Sequence, residues 1–236
     1  MNAAEQAVCD RLLTVDTDSV WWILNEMGYS DTFVQGLQVL RPDLKMAGRA
    51  VTLHYLPIRP DLAARVKAAH SVPLICQVAD ATNPGDVLVA GMGGELGGGF
   101  IGDVIASRFQ DRGGVGLVAD GATRDITALR TMDLPVYVAG GQASASWHRV
   151  VCVDVNIPIR CGTVSVLPGD YIVGDAQGVI AVPADHAAEV ADRAAELEGV
   201  EAFVRQKLHD TGVPLHEIYP PDEEMYRQYR ESRRAR

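Results

Sequence analysis

Residues 91–125, GMGGELGGGFIGDVIASRFQDRGGVGLVADGATRD, hold the densest concentration of chemistry-bearing side chains and permissive backbone in the chain. Three charged residues carry the interest: Asp103, and then Arg124 and Asp125 side by side. Arg124 offers planar, paired donors suited to a carboxylate or an enolate oxygen. Asp125 offers a hard oxygen of the kind that magnesium and manganese take as ligand. Asp103 can supply a second oxygen, directly or through a metal-bound water. An ion held by so few carboxylates keeps positions open for water and substrate, so it can polarise a carbonyl and stabilise a developing enolate. Glycines 97, 98, 99 and 102 let backbone approach a ligand closely, because no Cβ intervenes. If a helix begins at 103, the amides of Gly102, Asp103, Val104 and Ile105 lie at its N-terminus, where free N–H groups and the helix dipole favour an anion. Each residue also has a plainer use. Asp103 and Asp125 can cap helices, and Arg124 can pair with Asp120. A phosphate loop is excluded, since no Gly-Lys-Ser/Thr follows, and the glycine spacing is not set between strand and helix as a dinucleotide site requires.

The elements that must position these residues can be read from period and punctuation. Helices are predicted over 3–13 and 17–27, the second with Val20, Ile23, Leu24 and Met27 on its buried face, so that one of Trp21 and Trp22 points away. A strand is predicted over 46–56, a helix over 60–69, and a strand or helix end over 74–78. His54, alone in its strand, reads as packed or solvated. A short buried strand over 87–90 precedes the glycine loop. A helix follows over 103–110, then an apolar strand ending at Asp120-Gly121, a helix over 126–132, and a strand over 134–138 that Gly140-Gly141 breaks. From Val150 the chain is rich in turn-linked strands. A long helix spans 184–208, with an interruption expected at Gly199. The order implies one α/β domain with helices flanking a mixed β core over residues 1–212. Residues 213–236 form a charge-mixed, proline-bearing tail, either solvated or reaching a neighbouring subunit.

Composition narrows the function classes. The 236 residues carry a net charge of −10 and a pI of about 5.0, which argues against general nucleic-acid or anionic-membrane binding. Cys9, Cys76, Cys152 and Cys161 are scattered and form no CxxC pair, so zinc ribbons and redox motifs are not expected. The reading is a reduced, cytoplasmic protein with no signal peptide and no membrane span.

At these residues the sequence resembles the class II pyruvate aldolases typified by 4-hydroxy-4-methyl-2-oxoglutarate / 4-carboxy-4-hydroxy-2-oxoadipate aldolase. That family also takes in the regulator of ribonuclease activity A-like proteins. Its signature is an acidic residue, twenty intervening residues, then Arg-Asp, which Asp103, Arg124 and Asp125 satisfy. LKMAGRAVTL, GDVIAS, GLVADGATRD, PVYVAG and VNIPIRCGTVSVLPGDYIVGDAQGVIAVP match as well, so the resemblance spans most of residues 12–212. It implies an α/β/β/α sandwich assembled in rings, as a homotrimer or homohexamer. It implies Asp125 on a magnesium (or manganese) ion and Asp103 holding a metal-bound water. Arg124 would bind the keto oxygen and the enolate, and the amides of Gly102 to Ile105 the pyruvoyl carboxylate. Glu201, or less suitably Glu198, would reach the metal waters from an adjacent subunit. The activity implied is retro-aldol cleavage of a 4-hydroxy-2-oxo acid to pyruvate, with oxaloacetate decarboxylation beside it. A non-catalytic, protein-binding regulator and a different metal-dependent 2-oxo acid decarboxylase are the alternatives. The chain departs from the family pattern at Val20-Trp21-Trp22-Ile23-Leu24 and in the tail with Tyr219-Pro220-Pro221.

Overall fold

The computed structural model describes residues 1–234; the last two positions of the tail lie outside the described residues. In chain order the elements are α1 (Ala3–Leu12), α2 (Thr17–Glu26), β1 (Gln38–Val39), β2 (Met46–Pro57), α3 (Pro60–Ala69), α4 (Leu74–Ala81), β3 (Asp86–Gly91), α5 (Asp103–Asp111) and β4 (Gly116–Thr123). There follow α6 (Ile126–Leu129), β5 (Val136–Gly141), β6 (Val150–Val155), β7 (Ile159–Cys161), β8 (Val164–Val166), β9 (Tyr171–Gly174), β10 (Val179–Val182), α7 (Ala187–Thr211) and α8 (Glu223–Arg234).

One curled sheet runs β1-β5-β4-β3-β2-β9-β10, with β6 also on β2, and β7-β8 form a separate hairpin. Strands β2, β3, β4 and β5 are parallel neighbours, and β9 and β10 add antiparallel pairing. All eight residues of β4 are buried, which is why its sequence is a continuous apolar run rather than an alternating one. The pleat sorts side chains into layers. Leu88, Ala90, Leu117, Ala119, Val136 and Val138 face α4, α5 and α6 with Phe109 and Leu129. Val87, Val89, Val118 and Tyr137 face the other way, onto Ile159, Cys161 and Val164 of the hairpin and onto Ile172, Val179 and Ala181 of β9 and β10. The outer face of β9 and β10, Tyr171, Val173, Ile180 and Val182, is covered by α1, α2 and α7. The architecture is therefore α/β/β/α, as expected, within one mixed α/β domain.

Several boundaries differ from the sequence reading for identifiable reasons. Residues 74–81 are wholly helical and pack Leu74, Val78 and Ala79 inward. The helix after Asp125 is a single turn, Ile126–Leu129. Strand β5 continues through Gly140 and Gly141, which pair with Ala122 and Thr123. Helix α7 is not interrupted at Gly199; the missing side chain makes room for Tyr229 of α8, whose hydroxyl oxygen a Cβ would approach to 2.0 Å. Both Trp21 and Trp22 lie outside the buried stripe of α2, which comprises Thr17, Ser19, Val20, Ile23 and Leu24. The tail folds back on its own chain: Ile218 and Met225 pack against Val200 and Val204 of α7. Among the described residues no helix is long and apolar enough to cross a membrane.

Candidate active site

The site forms where the carboxyl ends of the parallel strands meet the glycine loop, the usual place for a ligand in an open α/β sheet. Strand β4 does not stop at Asp120-Gly121. The register to β5 shifts between Ala119 and Ala122, so β4 carries one extra residue there and runs on to Thr123. The bulge turns the Asp120 carboxylate inward, where it accepts from the Met92 amide and, at 3.0 Å, from the Gly162 amide. Asp120 is thereby committed to backbone, and the simple Asp120–Arg124 ion pair does not form. The glycine loop is laced onto the end of β4: the Phe100 amide donates to the Ala122 carbonyl at 2.8 Å and the Arg124 amide to the Ile101 carbonyl at 2.9 Å. Thr123 Oγ1 donates to the same Ile101 carbonyl at 2.8 Å.

These bonds tie the backbone into Arg124 and leave the side chains of Arg124 and Asp125 for other use. The stem of Arg124 lies on Gly99, where a Cβ would come within 2.4 Å of Arg124 Cγ. Its Nε is buried and has no hydrogen-bond partner. Among the described residues no carboxylate pairs with the guanidinium. A buried donor left unmatched is costly, so a ligand oxygen is the natural acceptor. Asp125 has φ 53 and ψ 38, a left-handed conformation rare outside glycine and asparagine-like residues. That conformation turns its carboxylate away from α6 toward the start of α5. Oδ2 accepts from the Asp103 amide at 3.3 Å, across 22 positions of sequence.

The plain capping roles therefore fail for both acids. Asp125 makes no side-chain cap to its own helix, and Gly102, not Asp103, occupies the N-cap of α5. Asp103 Oδ1 accepts from the Val104 amide at 2.8 Å. Glycine at 102 leaves room for the Asp125 carboxylate, which a Cβ would crowd. Val104 is 77% exposed, while Ile105 leans into the core beneath. Asp103, Arg124, Asp125 and the amides of the first turn of α5 are thus brought together around one patch of positive backbone potential. Glu201 and Glu198 stand apart on α7 in the same chain. Glu198 accepts from the Asp16 amide at 2.5 Å, and Glu201 is 3.7 Å from Arg205.

Sequence reasoning missed the residues that stiffen the glycine loop. Glu95 accepts from the Gly97 amide at 2.5 Å and from Arg149 Nε at 3.3 Å; the Gly97 amide first, and Arg149 after it, hold its carboxyl below the ordinary value. Ser144 Oγ donates to the Gly97 carbonyl at 2.6 Å, and Gln142 Nε2 to the Leu96 carbonyl at 3.2 Å. These partners lie some 50 positions away by chain, at separations of 54, 47 and 46, and no local spacing announces them.

A divalent ion can be tested against this donor set. Among the described residues no group of three or more His, Cys, Asp or Glu converges, which is a poor match for zinc with its three or four protein ligands. Two carboxylates beside open space suit magnesium or manganese, which retain several waters. The hydrogen bond to Asp125 Oδ2 is long, so that oxygen is only lightly engaged.

The family profile for Aldolase/RraA matches residues 6–181, well over half of the chain. The chain belongs to the Aldolase/RraA family. A relative from Halalkalibacterium halodurans named "Putative 4-hydroxy-4-methyl-2-oxoglutarate aldolase" is 33% identical over 128 residues, covering 54% of this chain and 60% of that protein. A like-named protein from Ectopseudomonas mendocina is 30% identical over 118 residues, covering 50% and 72%. The alignment with the first thus spans less than two thirds of that relative's length. Among solved structures, Streptomyces coelicolor RraAS2, described as an unusual member of the RNase ES inhibitor RraA protein family, superposes with a TM-score of 0.76 at 29% identity over 85% of this chain and 98% of its own. An uncharacterized Pseudomonas syringae protein shares the fold at a TM-score of 0.78 and 24% identity, covering 96% and 94%. The glycine loop, the α5 terminus and the Arg124-Asp125 turn all fall inside the Aldolase/RraA match.

Gly102 permits a local test of this geometry. Its φ of −121 suits alanine, and the added methyl would meet only the Asp125 carboxylate closely. Gly102→Ala is expected to leave the melting temperature near the parent's while any turnover at this site falls about 10²-fold, the cost of displacing a site carboxylate by ~1 Å. Gly99→Ala would press on Arg124 N at 2.9 Å and on the Thr123 carbonyl carbon at 3.0 Å, so both melting temperature and activity should drop. Thermal melts and a pyruvate assay on the two variants separate these outcomes.

Proposed function

We propose that this Aldolase/RraA protein is a metal-dependent carbon–carbon lyase that cleaves 4-hydroxy-2-oxo acids to pyruvate and a second carbonyl compound. The observation that carries the reading is the unpaired, partly buried Arg124 guanidinium set beside the Asp103–Asp125 contact at the start of α5. The names of the relatives agree with it.

In this reading Asp125, with Asp103 acting through water, would hold a magnesium or manganese ion, which would supply Lewis acidity to the site. Glu201 of an adjacent copy would complete the set, in a ring of three or six copies. The amides from Gly102 to Ile105 receive the C1 carboxylate, exchanging the weak internal contacts of Asp103 and Asp125 for a ligand anion. Arg124 donates to the C2 keto oxygen. When the C4 hydroxyl gives its proton to a base, the electron pair left on its oxygen forms the new carbonyl bond and the C3–C4 bond breaks. The pair from that bond moves toward the C2 oxygen as an enolate, where the Arg124 guanidinium offsets the charge. A proton delivered to C3 gives pyruvate. Loss of CO2 from oxaloacetate leads to the same enolate, so decarboxylation is expected beside the aldol reaction. A Schiff base has no candidate: Lys45 pairs with Asp16 and Lys207 with Gln228, and Lys67 lies on α3.

A coupled assay of pyruvate release over a panel of 4-hydroxy-2-oxo acids and oxaloacetate tests this. Turnover of at least one hydroxy-oxo acid is the expected result. Turnover of oxaloacetate alone would make the protein a decarboxylase. The likeness to RraAS2 favours a second reading, a protein-binding regulator; a stable ribonuclease complex with no turnover of any oxo acid would decide for it.

A further inference from the structure

Helix α3 stands off from the body of the protein. None of its residues is buried, and Leu62, Ala63 and Val66 are only half covered. Between α3, the start of α4 and strand β6 lies a cavity of about 370 Å³, a size that suits a small molecule. Its wall is mostly aliphatic and aromatic, with Val66, Leu74, Ile75 and Val150 inside and Trp147 at the rim. None of Gly102 to Ile105, Arg124 or Asp125 lines it.

Two features of the wall are polar and unmatched. Tyr55 is 6% exposed, and its hydroxyl finds no oxygen or nitrogen acceptor, only the Cys152 thiol beside it. Burial, then the neighbouring Cys152 and Cys76, hold this phenol well above its ordinary value, so it remains a donor. The second feature is charge. Lys67 and His70 line the cavity with no acidic residue among the lining, and neither forms an ion pair among the described residues. An apolar chamber with a cation at its edge and an unused donor in its wall complements a molecule with an apolar body and an anionic, oxygen-bearing head. An amine would meet Lys67 with like charge, and a plain hydrocarbon would leave both polar groups unmatched.

We infer that the chamber beneath α3 is a binding site for a small apolar monocarboxylate, separate from the reaction site, with Lys67 and His70 facing the carboxylate and Tyr55 donating to an oxygen of the ligand. The inference does not depend on the aldolase reading.

Calorimetry on the full chain with 3-phenylpropanoate tests it, with 3-phenylpropan-1-ol as the uncharged counterpart. Saturable binding of the acid is expected, with the alcohol at least about fivefold weaker. Lys67→Gln and Tyr55→Phe should each weaken the acid by about fivefold or more. Without ligand, Tyr55→Phe should melt no lower than the parent, because it removes an unsatisfied hydroxyl; a merely structural tyrosine would lose stability instead. Val66→Trp, which fills the chamber, should abolish binding while circular dichroism shows the protein still folded. No saturable binding at millimolar acid, equal binding of acid and alcohol, or parental affinity in both Lys67→Gln and Tyr55→Phe would overturn the proposal. So would sedimentation showing that copies associate through this face and separate in Val66→Asp.

Discussion

Arg124→Ala should lower the turnover number for retro-aldol cleavage by about 10²- to 10³-fold, the loss typical when one preorganised donor to a developing oxyanion is removed. The fold should survive. The Arg124 amide, which ties the turn to Ile101, is a backbone group that alanine retains. The Nε lost in the substitution has no partner within the protein, so its removal takes away an unsatisfied donor rather than a stabilising bond. Thermal melting should therefore be unchanged or slightly raised. Arg124→Lys should not restore activity. Gly99 supports the stem of the side chain, which aims a planar fork at one place, and an ammonium on a flexible stem cannot present two parallel donors. The informative measurement is kcat and KM together: a residue that stabilises the enolate loses kcat, whereas one that only gathers substrate raises KM. Parental kcat in a folded Arg124→Ala protein would remove Arg124 from the chemistry.

Much of this was legible in the residues themselves, because the relevant signals are local. The glycines before Asp103, the apolar run into Arg124, and the apolar period of α2 each depend on a few neighbouring positions. What was not legible depends on contacts distant in sequence. Ending β4 at Asp120-Gly121 follows from turn chemistry, but a bulge paid out against β5 carries the strand on to Thr123. Gly140-Gly141 looks like a break and is strand, since two glycines there pair with the end of β4. Gly199 looks like an interruption and is a seat for Tyr229. The braces on the glycine loop, Gln142, Ser144 and Arg149, come from the segment after β5 and have no motif. The residues of the candidate site could be named from the sequence; those that hold its loop in place could be named only from the fold.

Metal dependence should follow the Asp125 side chain. Chelation is expected to abolish pyruvate release and added magnesium or manganese to restore it. Asp125→Asn is the sharper substitution than alanine, for a reason in the backbone. At φ 53 the position tolerates aspartate and asparagine, whose short polar side chains suit the left-handed region, but strains alanine. Asparagine thus keeps the turn, and keeps an oxygen able to accept from the Asp103 amide, while removing the negative charge that a hard divalent ion requires. Its melting temperature should match the parent's. Its turnover should fall by more than about 10²-fold, since removing a direct ligand ought to exceed the 10- to 100-fold seen for outer partners. Manganese binding read by electron paramagnetic resonance gives a measure independent of turnover, and it should weaken in Asp125→Asn but persist in Arg124→Ala. Those two variants then separate the parts of the site. If chelated protein turned over normally while Arg124→Ala remained inactive, the ion would leave the reading and the guanidinium would stay. If manganese bound equally to both variants, the ion would sit elsewhere, and Asp125 would be left as the residue that shapes the turn for Arg124 and the first amide of α5.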